Sequence, residues 1–140
     1  MNKIKILTLV LLTGLFSTNV MAEVVVVVNA NNSITSLSKA ELIRIFQGKQ
    51  DKFATGKKAI PVNQIPPSEA RQSFDSDMLG RTTKQMTAYW SKQLFSGNAT
   101  PPKELNGDID VLKFILASEH AIGYVDKSAV NDAVKVITIN

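Results

Sequence analysis

Residues 60–74, which read IPVNQIPPSEARQSF, decide the fold that we predict for this chain. A short apolar strand over residues 59–62 runs into a polar turn with two prolines, and Ser68 stands where a helix N-cap is expected. Residues 69–79 then predict a helix. A strand that stops at a helix N-terminus directs free backbone N–H groups and a partial positive charge to one point, which is a general arrangement for holding an oxyanion. Arg71, one turn into the helix, could add a formal charge, although the same pattern also fits an ordinary capped helix after a strand.

The first 22 residues predict a secretory signal peptide. Lys3 and Lys5 give a positive start, residues 6–16 form an apolar run, and residues 20–22 (VMA) match a small-residue cleavage pattern. The apolar run is too short to cross a membrane, so we expect no membrane anchor. Cleavage after this pattern would deliver the mature chain to the periplasm.

Length and composition bound the rest of the chain. Residues 23–140 are enough for one domain with a real core and too few for two, so we expect a single domain. The signal peptide takes two lysines with it, and the net charge therefore falls from +4 to +2. The remaining basic residues are scattered without aromatic residues between them, which gives no support for nucleic-acid binding. The chain has no cysteine, so it has neither a disulfide nor a thiolate nucleophile.

The order of predicted elements is β-α-β-α-α-α-β-β, which indicates a mixed sheet with helices on its faces. Five consecutive valines at residues 24–28 predict a strand that is buried on both faces in the middle of the sheet. Ser38 and Glu41 form a capping box at the start of the first helix, which Gly48 ends.

The second half of the chain predicts two more helices and two strands. A helix over residues 83–95 carries an apolar stripe, and another begins at Asp108 or Asp110 as its cap and runs through Ala117. The stripe residues that we expect to face the core are Met86, Tyr89, Trp90 and Leu94 in the first of these helices and Val111, Leu112, Ile115 and Leu116 in the second. The strands cover residues 121–125 and 134–139, with one turn between them and with Gly123 marking a close backbone approach or a bulge.

Several segments together resemble a known family. They are residues 37–42 (LSKAEL), 45–48 (IFQG), 60–63 (IPVN), Phe74, and 121–125 (AIGYV). In this order and spacing they resemble the phosphate-binding proteins of ABC transporters, in the periplasmic-binding-protein-like superfamily. The resemblance covers nearly all of the mature chain. It implies an α/β fold of the type II periplasmic-binding-protein-like kind, with phosphate or another small oxyanion as the ligand.

The chain departs from the family pattern where the ligand should bind. The arginine that the family has after the I-x-P-V strand is replaced by Gln64, and the family's S-G-T becomes Ser68-Glu69-Ala70. A carboxylate at this helix start repels an incoming dianion, and Arg71 could compensate from one turn further in. The resemblance implies ligand-binding residues at Asn63, Gln64, Ser68, Glu69, Ala70 and Arg71.

The chain is also short for this family. The transport proteins close two lobes on their ligand, whereas this mature chain begins almost at the crossing strand, so we expect a single-lobe α/β sandwich. One lobe offers half of the contacts, and a phosphate stripped of water needs most of its oxygens satisfied. The affinity should therefore be weak, unless a homodimer supplies the other wall.

Two functions remain open from the sequence. The first is a small periplasmic solute-binding-like protein that holds phosphate or another oxyanion weakly. The second is a ligand-free protein-interaction module of the cell envelope, accessory to a sensor or an outer-membrane complex. We expect no enzymatic activity, no metal site and no cofactor, because His120 is the only histidine and the chain offers neither a convincing Ser/His triad nor the usual zinc ligands.

Overall fold

The structure is a computed structural model that describes residues 22–140. All but the last residue of the expected signal peptide lies outside the described residues. The elements are seven strands, four α-helices and two short helical segments. In chain order they are β1 (Val24–Asn29), β2 (Ser36–Leu37), α1 (Lys39–Phe46), β3 (Ile60–Gln64), α2 (Glu69–Phe74), a π-helix (Asp75–Leu79), α3 (Thr83–Ser96), β4 (Lys103–Leu105), α4 (Asp108–Ala117), β5 (Ala121–Asp126), a 3₁₀ turn (Lys127–Ala129), β6 (Val134–Val136) and β7 (Thr138–Ile139).

The main sheet has five strands in the order β4-β3-β5-β1-β6. Strand β3 runs parallel to both β4 and β5, whereas β1 runs antiparallel to β5 and β6. Strands β2 and β7 form a separate parallel pair. The predicted mixed sheet of an α/β sandwich is therefore confirmed.

The five valines explain the two layers of the sandwich. Side chains alternate across a strand, so Val24, Val26 and Val28 enter a core on one face, while Val27 enters a second core on the other. The first core is formed with α1, α2 and α3 and contains Phe46, Phe74 and Trp90, and the second is formed with α4 and contains Val111 and Ile115. The prediction that this strand lies inside the sheet and is buried on both faces is confirmed, since β1 lies between β5 and β6.

The central stretch folds largely as predicted, although β3 extends to Gln64, two residues further than the strand expected over residues 59–62. Ser68 is the N-cap of α2, and its Oγ accepts a hydrogen bond from the backbone N–H of Arg71 at 3.2 Å. The predicted helix over residues 69–79 is α2 followed directly by the π-helix. Gly80 ends it in the left-handed conformation, with φ of 67°.

Three predictions about the elements were wrong. The closing strand is broken at Ile137 into β6 and β7, which belong to different sheets. The predicted order of elements omits the short strands β2 and β4, of which β4 follows Pro102 and pairs with β3. Leu94 and Leu116 do not face the core, since they are 55% and 60% exposed.

Gly123 marks a close approach and no bulge. The pairing of β1 with β5 runs without interruption across it. A Cβ atom at this position would lie 2.9 Å from Val62 Cγ2 and 3.0 Å from Val111 Cγ1, closer than packed carbon atoms come. The absence of a side chain at Gly123 therefore allows α4 to pack directly on β3 and β5.

Candidate ligand-binding site

A cavity of about 530 Å³ lies at the carboxyl end of β3, where the chain passes into α2. Four of the six residues that the sequence predicts for the site line it, namely Gln64, Ser68, Glu69 and Ala70. The other lining residues come from the segment before β1, the turn before α2, the start of α4 with the loop before it, and the end of β5 with the 3₁₀ turn after it: Ala22, Ile65, Pro67, Asn106, Gly107, Asp108, Asp126 and Ser128. Asn63 and Arg71 do not line this cavity. The cavity thus forms where the polar turn was expected to hold a ligand.

Two helices begin at this cavity. In α2, the side-chain cap of Ser68 engages the N–H of Arg71, so the N–H groups of Glu69 and Ala70 have no intrahelical acceptor. In α4, the N-cap is Gly107, which provides no side chain to cap the first turn. The first-turn N–H groups of both helices and their partial positive charges therefore contribute to the same cavity.

Gln64 connects the elements that surround the cavity. Its Nε2 donates to Asp108 Oδ1 at 2.8 Å and to the carbonyl of Tyr124 at 3.2 Å, and its Oε1 accepts from Ser68 Oγ at 2.5 Å. One side-chain amide thus ties β3 to α2, α4 and β5. Because the residue is 1% exposed, its amide acts as a fixed support for the cavity wall and has little capacity left for a ligand.

Asp108 does not have the role that the sequence suggested. We expected it or Asp110 to cap α4, but Gly107 is the N-cap. The Asp108 carboxylate instead accepts hydrogen bonds from Gln64 Nε2 and, at 3.3 Å, from the backbone N–H of Asp126. It therefore joins the start of α4 to the ends of β3 and β5.

Arg71 is turned away from the cavity and is held inside the fold. Its Nε donates to Asp75 Oδ2 at 2.7 Å, and its Nη1 donates to the carbonyl of Gln64 at 2.8 Å. A longer contact of 3.7 Å joins Nη1 to Glu104 Oε2. With 3% of the residue exposed, the guanidinium is already neutralised and hydrogen-bonded within the protein. This geometry does not supply the compensating charge that the sequence suggested for an anion.

Within residues 22–140, one carboxylate oxygen of this buried ion pair, on Asp75, lacks a hydrogen bond. The residue has no exposed surface, and its Oδ1 has no hydrogen-bond partner among the described residues. Burial raises the pKa of the Asp75 carboxyl, and the charge and hydrogen bond of Arg71 oppose that rise. Arg71 therefore offsets part of the free-energy cost of burying the Asp75 carboxylate, so its role is structural.

Asn63 lies in a second buried hydrogen-bond network and does not line the cavity. Its Oδ1 accepts hydrogen bonds from the Tyr124 hydroxyl and from the backbone N–H of Gln64. The Tyr124 ring stacks on Phe74, with ring centroids 3.9 Å apart and an interplanar angle of 6°. Burial raises the pKa of the Tyr124 phenol well above its usual value, so this hydroxyl stays protonated. The network orients the end of β3.

The charges on the cavity wall are negative. Carboxylates of Glu69, Asp108 and Asp126 line it, and no Lys or Arg is found among its described lining residues. Hydrogen bonds from the hydroxyl and the backbone N–H of Ser128 lower the pKa of Asp126, which stays ionised at neutral pH. Among the described lining residues, the two helix starts are therefore the groups that offer an anion partial positive charge.

Residues 22–140 show no arrangement typical of a metal centre. Within that range, no three or more His, Asp or Glu side chains are grouped so that they could hold a metal ion. None of the helices described is both long and apolar enough to span a bilayer.

Solved structures of phosphate transport receptors share this fold, although the sequence itself matches little. No protein-family model matches the chain, and no curated protein matches it significantly. An ABC-type phosphate transport receptor from Vibrio cholerae superposes with a TM-score of 0.67 at 20% identity, over 84% of this chain and 46% of the receptor. A phosphate ABC transporter substrate-binding protein from Clostridium perfringens, solved with bound phosphate, gives 0.66 at 18% identity, over 84% and 45%. PstS from Borrelia burgdorferi gives 0.63 at 14% identity, over 85% and 47%.

These similarities define the class of fold. The chain has the α/β fold of substrate-binding proteins of phosphate transporters, as the sequence resemblance implied. It spans less than half the length of the solved structures that it matches.

Proposed function

We propose that this chain is an exported solute-binding-like protein whose cavity at the end of β3 holds a small oxyanion, such as phosphate, weakly. The observation that carries this proposal is the meeting of two helix starts at one cavity, at the position where the sequence predicts the ligand, in a fold that phosphate receptors share. Backbone N–H groups of Glu69 and Ala70, together with those that begin α4, would be the donors.

The weakness of binding follows from the charges around those donors. Arg71 is engaged by Asp75 and by the Gln64 carbonyl, so it offers the anion no direct contact. The cavity carboxylates repel an anion, at about 1 kcal/mol for two unit charges about 4 Å apart in water. The backbone N–H groups attract the anion and the carboxylates repel it, so we expect phosphate to bind with a dissociation constant in the millimolar range.

The same carboxylates favour one kind of oxyanion over another. A carboxylate can only accept hydrogen bonds, so Glu69 and Asp108 can be satisfied by an anion that carries a proton. Hydrogen phosphate carries such a proton at neutral pH, whereas sulfate does not. We therefore expect phosphate to bind better than sulfate.

The test is a titration of the mature protein, residues 23–140, with phosphate and with sulfate, followed by thermal shift and by amide chemical shifts. Phosphate should raise Tm and move the amide signals of Glu69 and Ala70. The variant Glu69→Gln should bind phosphate about fivefold more tightly, since the amide oxygen can still accept the phosphate proton while about 1 kcal/mol of charge repulsion is removed. Asp132→Asn, which makes the same charge change at an exposed position outside the cavity, should leave the affinity unchanged.

Two results would refute phosphate binding at this cavity. One is the absence of any saturable shift at the amides of Glu69 and Ala70. The other is an equal gain in affinity from Glu69→Gln and Asp132→Asn, because it would show that only the overall charge of the protein matters.

A second candidate is a protein-interaction module of the cell envelope. It is supported by the internal use of Arg71 and by the exposure of Phe95, which is 96% exposed next to Leu94 at the end of α3. Crosslinking in envelope extracts should then recover one stoichiometric partner, and Phe95→Ser should abolish the crosslink. Sedimentation of the purified protein separates this from a homodimer, in which a second copy would cover the cavity.

Export to the periplasm is part of the proposal. The predicted signal peptide implies that the mature protein begins at Glu23. N-terminal sequencing of the protein from a periplasmic fraction checks this directly. Recovery of an intact Met1 N-terminus from the cytoplasm would contradict it.

A further inference from the structure

A second groove lies at the opposite end of β3 from the proposed oxyanion cavity. It has a volume of about 580 Å³, and we name it the Trp90 groove. Its walls come from the end of α1, the start of β3, α3, the segment before β4, and α4. The lining residues are Ile45, Gly48, Lys58, Ala59, Ile60, Pro61, Val62, Trp90, Thr100, Pro101, Pro102, Lys103 and Phe114.

The groove exists because the edge strand stops short. Strand β4 pairs with β3 only from Val62 onward, so Ile60 and Pro61 have a neighbour on the β5 side and none on the β4 side. Pro101 and Pro102 precede β4 and have no N–H with which to extend the ladder. The sheet edge beside Ile60 and Pro61 is consequently left open to the groove.

The walls of the groove suit an apolar body. Trp90 and Phe114 contribute aromatic rings to the lining, and Pro101 and Pro102 contribute rigid apolar rings. The volume lies within the range of cavities that hold small organic molecules, which is about 300–1,000 Å³. A small inorganic ion would leave most of this surface in contact with water, so the shape and lining favour a ligand with a ring or a chain.

The charged side chains that line the groove are two lysines, Lys58 and Lys103. The Lys103 Nζ lies 5.5 Å from the centroid of the Phe114 ring, and Lys58 lies on the same wall as the start of β3. Among residues 22–140, neither lysine forms an ion pair with a carboxylate.

We propose that the Trp90 groove binds an amphipathic organic anion, with an apolar ring or chain against Trp90 and Phe114 and a carboxylate or sulfonate near Lys58 and Lys103. The site and the ligand class differ from those of the oxyanion cavity, since the body of the ligand, rather than its charge alone, fills the groove. The inference is independent of whether phosphate binds at the other end of β3.

The probe is 8-anilinonaphthalene-1-sulfonate, titrated into the mature protein. Trp90 is the only tryptophan in the chain, so energy transfer from its fluorescence to the probe reports binding to the domain, and the variants below localise the site. We expect saturable transfer with one site. The variant Lys58→Ala/Lys103→Ala should weaken binding about tenfold, since both charged contacts to the sulfonate are lost.

Matched controls separate this site from unspecific adsorption. Lys39→Ala/Lys84→Ala makes the same charge change at two exposed positions outside the groove and should leave the affinity unchanged. Ile60→Phe should reduce binding by filling the groove, with circular dichroism showing that each variant is folded. N-phenyl-1-naphthylamine, which lacks the sulfonate, should bind more weakly than the anionic probe.

The proposal fails if energy transfer does not saturate, or if both lysine pairs change the affinity equally. It also fails if the neutral probe binds as tightly as the anionic one, because the lysines would then have no part in recognition. An unchanged phosphate titration in the Lys58→Ala/Lys103→Ala variant is expected and keeps the two sites distinguishable.

Discussion

Replacing Arg71 by methionine is expected to destabilise the protein strongly, although the sequence suggested that Arg71 faces a bound anion. The substitution keeps an extended apolar side chain but removes the hydrogen bonds to Asp75 Oδ2 and to the Gln64 carbonyl. Asp75 would be left as a fully buried carboxylate without a cation. Breaking a buried pair in this way costs about 3–5 kcal/mol, a large fraction of the roughly 5–15 kcal/mol that holds a domain folded.

Urea unfolding followed by circular dichroism measures this loss. The double variant Arg71→Met/Asp75→Leu removes the unpaired carboxylate as well, so it should recover most of the stability that the single variant loses. A loss below about 1 kcal/mol in Arg71→Met, or an equal loss in both variants, would refute the structural role of Arg71.

The pH dependence of Arg71→Met gives an independent check on Asp75. Burial raises the pKa of this carboxyl in the folded state, and removing Arg71 removes the influence that opposes the rise. The folded state therefore binds the proton more tightly than the unfolded state, and protonation favours folding as pH falls through the folded pKa. The free-energy difference between Arg71→Met and the wild type should shrink as the pH falls from 7 toward the usual pKa of an aspartic acid. A constant difference would show that Asp75 is not the group responsible.

Three smaller perturbations test the cap of α2, the close approach at Gly123 and the hydrogen bond of Tyr124. Ser68→Ala removes the N-cap of α2 and should lower the free energy of unfolding by about 1 kcal/mol in urea. Gly123→Ala puts a methyl group against Val62 and should cost about 1–3 kcal/mol by overpacking, with a lower Tm; an unchanged Tm would contradict the close approach. Tyr124→Phe leaves Asn63 Oδ1 with one donor fewer and should cost about 1–2 kcal/mol. In the wild type, ultraviolet titration of the two tyrosines should show one phenol, that of Tyr124, ionising only well above pH 10, because burial raises its pKa.

Most of the fold could be predicted from local patterns in the sequence. The capping box of Ser38 and Glu41 predicts the start of α1, and both of its hydrogen bonds are present. The five valines predict an internal strand, because such a run at an exposed sheet edge would favour aggregation. In contrast, β4 has only three residues, and its pairing with β3 depends on a neighbour that is distant in the chain.

The candidate site was predictable in its position but not in its chemistry. Ser68 marks the helix start from its place after the strand, and the cavity lies there. The direction of the Arg71 side chain is set by Asp75, one helical turn away, and a sequence pattern does not distinguish an inward from an outward guanidinium. The contributions of Asp108 and Asp126 to the cavity depend on tertiary packing of β5 and α4, for which the sequence has no local signal.

The antiparallel placement of β1 has a consequence for how the chain can fold while it is being synthesised. Val24 pairs with Asp126, and Asn29 pairs with Val134, so the first strand of the domain has its partners near the other end of the chain. Until translation reaches those partners, the valine strand has no native place in the sheet. The nascent chain should consequently stay unfolded until β5 and β6 have been synthesised, with the valine strand exposed to aggregation in the meantime.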